Sequence, residues 1–374
     1  MPLNVLYLHH VARIGGAENS LHLLLHALDR ASVRPLFAGP MDGPLPVALA
    51  KEGIPIFPVP FGPLKNVPRV LRAVLRLRRI IRAQNVQLLH SNGPQTNVCA
   101  GLAGRLEGIP VVWHIRNLLY GSMRDIDRLC SGLATRIVCN SEAIRERFRG
   151  SSAWDKSVTI LNAVDLGAFN PQASDGSFRR QLGVPPDRTV VGMVGRIGLG
   201  KGHVHFIDAA IRLLRGGVNA QFVIVGDAQI PEESARLEML RRQVTDAQAE
   251  ERIRFLGFRQ DMPQVMRGLD ILVLASDAEP CGRVLFEAMA SGTAIVATNS
   301  GGTPEIVRDG SEGLLVPPRD SDALAVAIRK MIEEPALRQR FGRAGAARAR
   351  QEFSVERYVT RILDVYEAAG SRHR

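Results

Sequence analysis

The chain contains 374 residues, of which 45% are hydrophobic and 23% are charged. This balance is typical of soluble globular proteins and excludes a wholly disordered chain. At about 150 residues per domain, the length predicts two domains. The formal net charge of +11 favours polyanionic partners, but nucleic acid is not expected, because aromatic residues make up only 5% and no basic stretch is interleaved with stacking side chains. Phosphorylated ligands or an anionic membrane surface fit the charge better.

The N-terminal segment and the cysteines bear on where the protein is located. The first ten residues, MPLNVLYLHH, lack the basic start of a secretion signal and predict a strand. No apolar run in the sequence approaches the ~18 residues of a membrane-spanning helix. The four cysteines include no C-x-x-C pair, which disfavours a disulfide framework and a cysteine zinc site. We expect a cytoplasmic protein whose charge allows a peripheral place on the inner face of the membrane.

Short runs rich in Val, Ile and Leu alternate with longer amphipathic stretches along the chain. Near-continuous apolar strands with helices between them indicate parallel sheets covered on both faces, so the predicted fold class is α/β. The ten runs predicted as strands are NVLYLHH, VQLLHS, VVWHI, RIVCNS, VTILN, TVVGMVG, AQFVIVGD, IRFLGF, ILVLAS and AIVAT.

A stretch rich in Pro, Gly and polar residues divides these strands into two sets of five. We predict two tandem Rossmann-like, doubly wound domains that face a central cleft, where ligands bind at the carboxyl ends of the strands. The predicted boundaries are an N-terminal domain over 1–169, a linker and domain entry over 170–189 and a C-terminal domain over 190–353. A final helix over 354–374, with apolar residues at helical spacing, could pack back across either domain.

The segment GRIGLGKG, residues 195–202, joins a predicted strand to a predicted helix. It fits the G-x-x-x-x-G-K part of a P-loop, but Gly202 stands where a Ser or Thr hydroxyl should hold magnesium. A glycine-rich turn from strand to helix exposes backbone N–H groups to an anion. We predict a diphosphate site in which Arg196 and Lys201 take the electrostatic role of a metal. A turn with two solvated cations is the alternative.

The segment EPCGRVLFEAMASG carries two glutamates eight residues apart, Glu279 and Glu287. A helix is predicted to begin near residue 283, which places Glu279 in a loop and Glu287 one turn inside the helix. The backbone N–H groups of Gly282, Arg283 and Val284 should then lie beside both carboxylates. Because a carboxylate accepts hydrogen bonds from neighbouring hydroxyls, this arrangement suits a sugar or ribose. The alternative is that acidic residues merely complement the helix dipole.

Together these segments resemble a known family, the retaining glycosyltransferases of the GT-B fold, of the group 1 or family 4 (GT4) type. The resemblance is strongest over residues 190–320, through GRIGLGKG, through EPCGRVLFEAMASGTAIVAT with its E-x7-E spacing, and through GGTPEIVRDGSEGLLVPP. It continues more thinly in GGAENS, VVWHI, VCNSEAIRERF and LNAVDLGAFNP. Cys281 stands where Phe is common, and Ala163 replaces a family glycine, which leaves the donor open.

The resemblance implies roles for individual residues. Arg196 and Lys201 would hold the diphosphate of a UDP- or GDP-sugar, Glu287 would bind ribose, and His114 and Glu279 would be catalytic, beside the transferring sugar. No metal or other cofactor is implied. The sugar would pass to a glycan or lipid-linked acceptor with retention, by front-side attack. The remaining implied donor-binding residues are Gly15, Gly16, Gly257, Arg259, Cys281, Gly282, Arg283 and Val284.

Three alternatives to this function remain open at the level of sequence. A P-loop ATPase or kinase is disfavoured by Gly202 and leaves the paired glutamates unexplained. A non-catalytic nucleotide-sugar-binding protein could use the same fold, and a nucleotide-sugar epimerase would turn over donor without an acceptor. His22 and His26 lie four residues apart on a predicted helix, but they lack the pattern and third ligand of a zinc site, so no metal site is predicted.

One stretch, residues 65–84, contains seven basic residues and no acidic residue. Helical spacing places an apolar stripe on one face and a stripe of arginines on another. Such a basic amphipathic helix can lie on an anionic membrane. Alternatively, the apolar stripe packs on the sheet and the arginines are solvated. The arginines of the stripe are Arg69, Arg72, Arg76 and Arg79.

Overall fold

The computed structural model describes residues 1–11, 15–119, 124–171 and 176–371. The chain forms two compact units, the first made of Met1–Ala163 together with the segment from Val355 onward, and the second made of Val164–Ser354. Each unit is built on one sheet whose paired strands are all parallel. The predicted α/β class with two Rossmann-like domains is therefore confirmed.

The first unit contains a seven-stranded sheet in the order β3-β2-β1-β4-β5-β6-β7. The order reverses between β1 and β4, and loops at the carboxyl ends of strands flanking such a reversal form the usual ligand site of open α/β sheets. The strands are β1 Leu3–His9, β2 Val33–Gly39, β3 Ile56–Pro58, β4 Leu88–Asn92, β5 Val111–Ile115, β6 Arg136–Cys139 and β7 Ser157–Thr159.

The helices of the first unit connect these strands across the faces of the sheet. Two of them begin at Pro, whose missing N–H costs nothing in a first helical turn. The helices before the second unit are α1 Gly16–Ala27, α2 Pro44–Lys51, α3 Val67–Ala83, α4 Pro94–Glu107, α5 Ile126–Leu129 and α6 Glu142–Arg145, with 3-10 turns at Ser131–Leu133, Glu146–Phe148 and Trp154–Lys156.

The second unit contains a six-stranded sheet in the order β10-β9-β8-β11-β12-β13, with its reversal between β8 and β11. The strands are β8 Thr189–Val194, β9 Ala220–Val225, β10 Ile253–Gly257, β11 Ile271–Leu274, β12 Ala294–Thr298 and β13 Gly313–Val316. The helices are α7 Ser177–Leu182, α8 His203–Arg215, α9 Pro231–Asp246, α10 Met262–Gly268, α11 Arg283–Ser291, α12 Thr303–Ile306, α13 Ser321–Glu333 and α14 Pro335–Glu352.

All ten strands identified by their apolar runs are present, but the prediction of five strands in each sheet was wrong. The three strands without a predicted counterpart are β2, β3 and β13. Proline interrupts two of them, at Pro35 and Pro58, and proline removes a donor from the ladder of a strand. β13 has four residues and begins at a glycine, which weakens the pattern of a strand.

The stretch 170–189, predicted as a linker and domain entry, contains α7 and is grouped with the second unit. Phe178 and Leu182 of α7 are buried, so this part of the stretch packs on the domain that follows it. Residues 172–175 of the stretch lie outside the described part of the chain.

The final helix, α15 Val355–Ser371, packs on the first unit against α1, β5 and β6. Its buried face, at helical spacing, joins the apolar cluster on one side of the seven-stranded sheet. The sequence left open on which domain the final helix packs, and in the structure it packs on the N-terminal domain. Residues 372–374, at the end of the predicted segment, lie outside the described residues. The buried positions are Tyr358, Ile362, Val365, Tyr366 and Ala369.

If α15 is part of the core, Ile362→Ala should destabilise the first unit by about 2–5 kcal/mol, because the side chain is fully buried and its loss leaves a cavity. Trp113 and Trp154 are the two tryptophans of the chain and both lie in this unit, so tryptophan fluorescence reports its unfolding. The midpoint should fall by roughly 4–20 °C. Glu367→Ala, at an exposed position of the same helix, is the control, and equal shifts for both variants would contradict the packing.

Candidate functional site

The loops that follow β8 and β11 meet in the second unit, at the reversal of strand order. The loop after β8, Gly195–Gly202, carries the GRIGLGKG segment, and the loop after β11, Ala275–Gly282, carries Glu279. The backbone N–H of Asp277 donates to the carbonyl oxygen of Gly200 at 2.8 Å. The structure therefore brings two predicted site segments together at the place where open α/β sheets bind ligands.

Glycine at position 202 is required by packing. Gly202 has a φ of +77°, and a Cβ built there would lie 1.8 Å from the carbonyl oxygen of Ala275. No Ser or Thr can occupy this position without moving the backbone of the neighbouring loop, so the loop offers no place for the magnesium-binding hydroxyl of a P-loop. The geometry therefore weighs further against the ATPase or kinase alternative.

A second close backbone contact holds the other end of the same loop. A Cβ at Gly226, directly after β9, would lie 1.9 Å from the carbonyl oxygen of Gly195. The N–H of Gly226 also donates to the carbonyl oxygen of Gly257 at 2.8 Å. Gly257 is predicted beside the nucleotide base. It is thus connected through Gly226 to Gly195, at the start of the loop after β8.

Lys201 and Glu279 form an ion pair. The Lys201 Nζ lies 2.8 Å from Oε2 of Glu279, and the Glu279 side chain is only 8% exposed. Ser276 Oγ donates to the same carboxylate oxygen at 2.9 Å, and the N–H of Gly302 donates to the Glu279 carbonyl at 2.8 Å. Glu279 is therefore held from its side chain and its backbone, while Lys201 remains one-third exposed.

Arg196 has a partner that sequence reasoning missed. Its Nη1 lies 2.8 Å from Oε1 of Glu233, in the first turn of α9, and half of the Arg196 side chain is exposed. Nothing in the spacing of the sequence connects these two residues, although an acidic residue just after Pro231 is a common start of a helix. Arg196 thus reaches α9, whereas Lys201 reaches the loop after β11.

The helix α11 begins as predicted, with Gly282 as its N-cap and Arg283 as its first residue. The N–H groups of its first turn, to which Val284 also belongs, have no intrahelical acceptors. Glu287, one turn inside, is paired with Arg283 at 2.6 Å, and its side chain is 8% exposed. Cys281, before the N-cap, is buried. The helix N-terminus and both predicted glutamates therefore lie on one short segment.

Arg259, predicted near the base, follows β10. It pairs with Asp261 at 2.5 Å, donates to Gln181 at 3.0 Å and lies over the ring of Phe178. None of its contacts among the described residues involves another predicted site residue. Its role at the base stays a prediction.

In the first unit, Gly15 and Gly16 precede and begin α1. A Cβ at Gly15 would lie 2.8 Å from a carboxylate oxygen of Glu18, whereas a Cβ at Gly16 would have no atom within 4 Å. Gly15 therefore has a local reason to lack a side chain. The preceding residues, 12–14, lie outside the described residues, and a contact of this loop with diphosphate stays a prediction.

His114 lies near the end of β5 and is fully buried. Its Nδ1 is 3.2 Å from Nε2 of His90 and 3.2 Å from Nη2 of Arg116. Burial, followed by the charge of Arg116, holds the pKa of His114 well below its usual range. His114 is therefore a neutral side chain within a polar cluster.

Sequence reasoning missed the other members of this cluster, which we call the β-end cluster. It lies at the carboxyl ends of β1, β4 and β5, beside the reversal of strand order. Arg116 donates to Oδ1 of Asn92 at 3.2 Å, and His9 contacts the Asn92 carbonyl and Glu18 at 3.0 and 2.7 Å. The sequence feature that could have identified these residues is the presence of polar residues directly after apolar strands. The cluster comprises His9, Glu18, His90, Asn92, His114, Arg116, Asn162, Tyr358 and Tyr366.

The basic helix α3 buries its apolar stripe, including Val74, Leu77 and Ile81. Its outer face is not purely charged, because Val67, Leu71 and Leu75 are each more than half exposed. Arg72, Arg76 and Arg79 are exposed and have no ion pair with any described residue, and Arg69 donates to a backbone carbonyl. No helix within the described ranges is long and apolar enough to cross a membrane.

Two family models match the chain in succession. Residues 14–168 match "Glycosyltransferase Family 4" and residues 174–348 match "Glycosyl transferases group 1". The fold and the site thus define a GT-B glycosyltransferase. The chain belongs to the group 1 and family 4 (GT4) glycosyltransferases, as its motifs predicted.

Solved structures and curated relatives agree with this assignment. The crystal structure of HepE from Anabaena in complex with UDP superposes with a TM-score of 0.85 at 28% identity, covering 98% of this chain and 100% of HepE. Alpha-maltose-1-phosphate synthase from Mycobacterium tuberculosis is 33% identical over 62% of this chain, but the match spans only 63% of that relative. An Escherichia coli galactosyltransferase for a diphosphoundecaprenol-linked acceptor is 23% identical over 79% of each chain.

The packing of Gly202 can be tested against a glycine in the same loop. Gly200 also has a left-handed φ, of +74°, but a Cβ there would meet nothing within 4 Å. Gly200→Ala should cost about 1–2 kcal/mol for its backbone conformation alone. Gly202→Ala adds a backbone clash worth about 1–3 kcal/mol and should lower the calorimetric midpoint of the second unit by several degrees more. Equal costs for the two variants would show that Ala275 does not constrain position 202.

Proposed function

We propose that this glycosyltransferase transfers a sugar from a UDP- or GDP-sugar to a glycan or lipid-linked acceptor, with retention of anomeric configuration and without a metal ion. The observation that carries the proposal is the Lys201–Glu279 pair, held beside the N-terminus of α11 at the reversal of strand order in the second unit. A cation, a carboxylate and a helix N-terminus at one place can bind phosphate and sugar hydroxyls together.

The two cations of the glycine loop would neutralise the departing diphosphate. The bond between the anomeric carbon and the diphosphate oxygen breaks, and Lys201, Arg196 and the helix N–H groups stabilise the charge that develops on that oxygen. Both cations are paired with carboxylates, so the diphosphate would join two existing ion pairs. These cations fill the place of a metal in a loop whose glycine excludes a metal-binding hydroxyl.

Glu279 is better suited to hold the sugar than to attack it. Its Oε2 already accepts from both Lys201 and Ser276, and these contacts reduce the nucleophilicity of the carboxylate. We therefore propose front-side attack, in which the acceptor oxygen bonds to the anomeric carbon on the face that the diphosphate leaves. The departing phosphate takes the proton of the acceptor hydroxyl. Glu287 would bind the ribose from one turn inside α11.

The comparisons favour uridine over guanosine as the donor base. HepE, which matches this chain over its whole length, has been crystallised with UDP, with UDP and glucose, and with UDP-glucose. The Escherichia coli relative uses UDP-Gal by name. The segment around Gly257 and Arg259 would border the base, next to the glycine loop to which Gly257 is connected.

The outer face of α3 supports a lipid-linked acceptor. Exposed leucines beside unpaired arginines form the pattern of helices that lie in a membrane interface, with apolar side chains inserted and cations near anionic head groups. The name of the Escherichia coli relative also specifies a lipid-linked acceptor. We propose that α3 places the first unit on an anionic membrane surface.

The donor proposal is tested by thermal stability in the presence of UDP-, GDP- and ADP-sugars, free nucleotides and ATP, each with EDTA and with Mg²⁺. We expect a UDP- or GDP-sugar to raise the midpoint in EDTA, since a ligand that binds only the folded state stabilises it. Lys201→Ala should weaken that shift and lower transfer by about 100-fold, the scale of a lost charged transition-state contact.

Arg212→Ala is the matched control, because Arg212 lies on the adjacent helix α8 and pairs with Asp322 on the outer surface. It should leave the shift and the transfer rate unchanged. Stabilisation by Mg·ATP alone, or normal transfer by Lys201→Ala, would reject the diphosphate role of the glycine loop.

The membrane proposal is tested by sedimentation with vesicles that contain anionic phospholipid. Replacing Arg72, Arg76 and Arg79 together by Glu should abolish binding, because each cation near such a surface contributes about 1 kcal/mol. A variant with Arg340, Arg343 and Arg350 of α14 replaced by Glu carries the same change of net charge at exposed positions and should still bind. Equal loss in both variants would indicate a non-specific effect of net charge.

A further inference from the structure

Two histidines of the β-end cluster lie side by side on neighbouring strands, His90 on β4 and His114 on β5. Both side chains are fully buried, and Nε2 of His90 is 3.2 Å from Nδ1 of His114. Burial lowers the pKa of His90 to about 3 and holds the pKa of His114 well below its usual range. Each ring is therefore neutral and carries one N–H, on one of its two nitrogens.

Arg116 decides which nitrogen of His114 carries the proton. Its Nη2 lies 3.2 Å from Nδ1 of His114, and a guanidinium has donors but no acceptor. Nδ1 of His114 must therefore accept, and the proton of the ring must lie on Nε2. The guanidinium is held in place by two amide oxygens, since Nε donates to Asn92 at 3.2 Å and Nη1 donates to Asn162 at 2.9 Å.

The tautomer of His114 also determines the direction of the hydrogen bonds that lead to the C-terminal helix. Because Nδ1 of His114 has no proton, Nε2 of His90 must donate to it. Nδ1 of His90 then accepts from the hydroxyl of Tyr366, 2.6 Å away on α15. In the structure the hydroxyl of Tyr366 donates to that of Tyr7 at 2.9 Å. Because the Tyr366 hydroxyl has only one proton, the order set by Arg116 requires that proton to turn to His90 and the Tyr7 hydroxyl to donate to Tyr366. Every donor in the chain then points from Tyr7 toward His114.

Without Arg116, the chain from Tyr7 to His114 could be satisfied in either direction. In the reverse direction Nδ1 of His114 would donate to His90, His90 would donate to Tyr366, and Tyr366 would donate to Tyr7. Only the added donor of Arg116 removes this ambiguity. Arg116 is therefore the residue that sets the direction of the hydrogen-bond chain.

The chain ends at a buried donor. Among the described residues, Nε2 of His114 has no hydrogen-bond partner. A buried N–H without an acceptor is unfavourable and calls for a ligand or a water molecule as its partner. The nitrogen belongs to a residue near the carboxyl end of β5, at the edge of the sheet where ligands bind in this fold class.

We propose that Arg116, with His90 and Tyr366, acts as a positioning residue that fixes His114 as its Nε2–H tautomer, so that His114 offers a hydrogen-bond donor to an oxygen of the bound substrate. The identity of that oxygen, on a sugar hydroxyl or on the departing phosphate, rests on the proposed function. In this tautomer Nε2 has no lone pair, so His114 stabilises charge on oxygen and does not take a proton from the acceptor.

The tautomer is measured directly by ¹⁵N NMR of histidine-labelled full-length protein, because protonated and unprotonated ring nitrogens have well-separated shifts. His114→Gln identifies the His114 signals by their loss. We expect a protonated Nε2 and an unprotonated Nδ1 in the native protein between pH 6 and pH 8. A protonated Nδ1, or protons on both nitrogens, would overturn the proposal, whatever the enzyme transfers.

Variants then test the role of Arg116. Arg116→Met removes the fixed donor and should populate the Nδ1–H tautomer of His114, while Arg116→Lys keeps a donor and should retain the native one. Tyr7→Phe is the control, because Tyr7 is only the first donor of the chain and its loss should leave both rings unchanged. If Arg116→Met fails to fold, the native spectrum and Arg116→Lys still decide the question.

Transfer kinetics distinguish the positioning of His114 by Arg116 from the proposed function. Arg116→Met should lower kcat by about 10-fold or more with little change in the KM of the donor, as expected when a catalytic imidazole is held in the wrong tautomer. Arg116→Lys should recover most of the rate. An unchanged kcat in a variant whose tautomer has shifted would reject the role of His114 toward substrate. An Nε2–H tautomer in a protein that transfers no sugar would leave the positioning intact and reject the proposed function.

Discussion

The candidate donor site depends on backbone atoms that approach one another more closely than any side chain would allow. Gly202 lies against the carbonyl of Ala275, and Gly226 lies against the carbonyl of Gly195. These two contacts fix both ends of the loop after β8 between β9 and the loop after β11. Because the loop is fixed, Lys201 reaches Glu279 in the loop after β11, and Arg196 reaches Glu233 in α9. The position of both cations therefore depends on these two glycines.

The two units share a strand order but differ in the electrostatics of their carboxyl edges. In the second unit the polar residues are ion pairs whose carboxylates are buried and whose cations are partly exposed, so the cations can receive a further anion. In the first unit the edge is lined by histidines, amides and tyrosines around one buried guanidinium, with the carboxylate of Glu18 paired with His9. Such a buried network stabilises only when its members are satisfied, which favours fixed hydrogen-bond directions over mobile charges. The carboxyl edge of the second sheet is thus suited to bind an anion, and that of the first sheet is suited to orient hydrogen-bonding side chains.

Local pattern predicted most of the fold, and it failed where the signal is short or interrupted. Ten apolar runs predicted ten strands, whereas β2 and β3 contain prolines, and β13 has four residues. Motif spacing also predicted the glycine loop and the start of α11. It could not predict the partners, because Glu233 lies 37 positions after Arg196 and belongs to another helix. His90 and Tyr366 lie 276 positions apart. Such contacts arise only when the sheet order brings distant strand ends and the C-terminal helix together.

The return of the C-terminal helix to the first unit connects stability with the direction of the hydrogen-bond chain. The apolar face of α15 completes the core on one side of the sheet, and that packing alone would explain why the helix lies there. The same face also carries two hydroxyls, and those of Tyr358 and Tyr366 contact Arg116 and His90. A phenylalanine at position 366 would pack as well but would leave Nδ1 of His90 without a donor. The choice of tyrosine there is therefore explained by the polar network and not by packing, so the last helix of the chain contributes to the orientation of a histidine on β5.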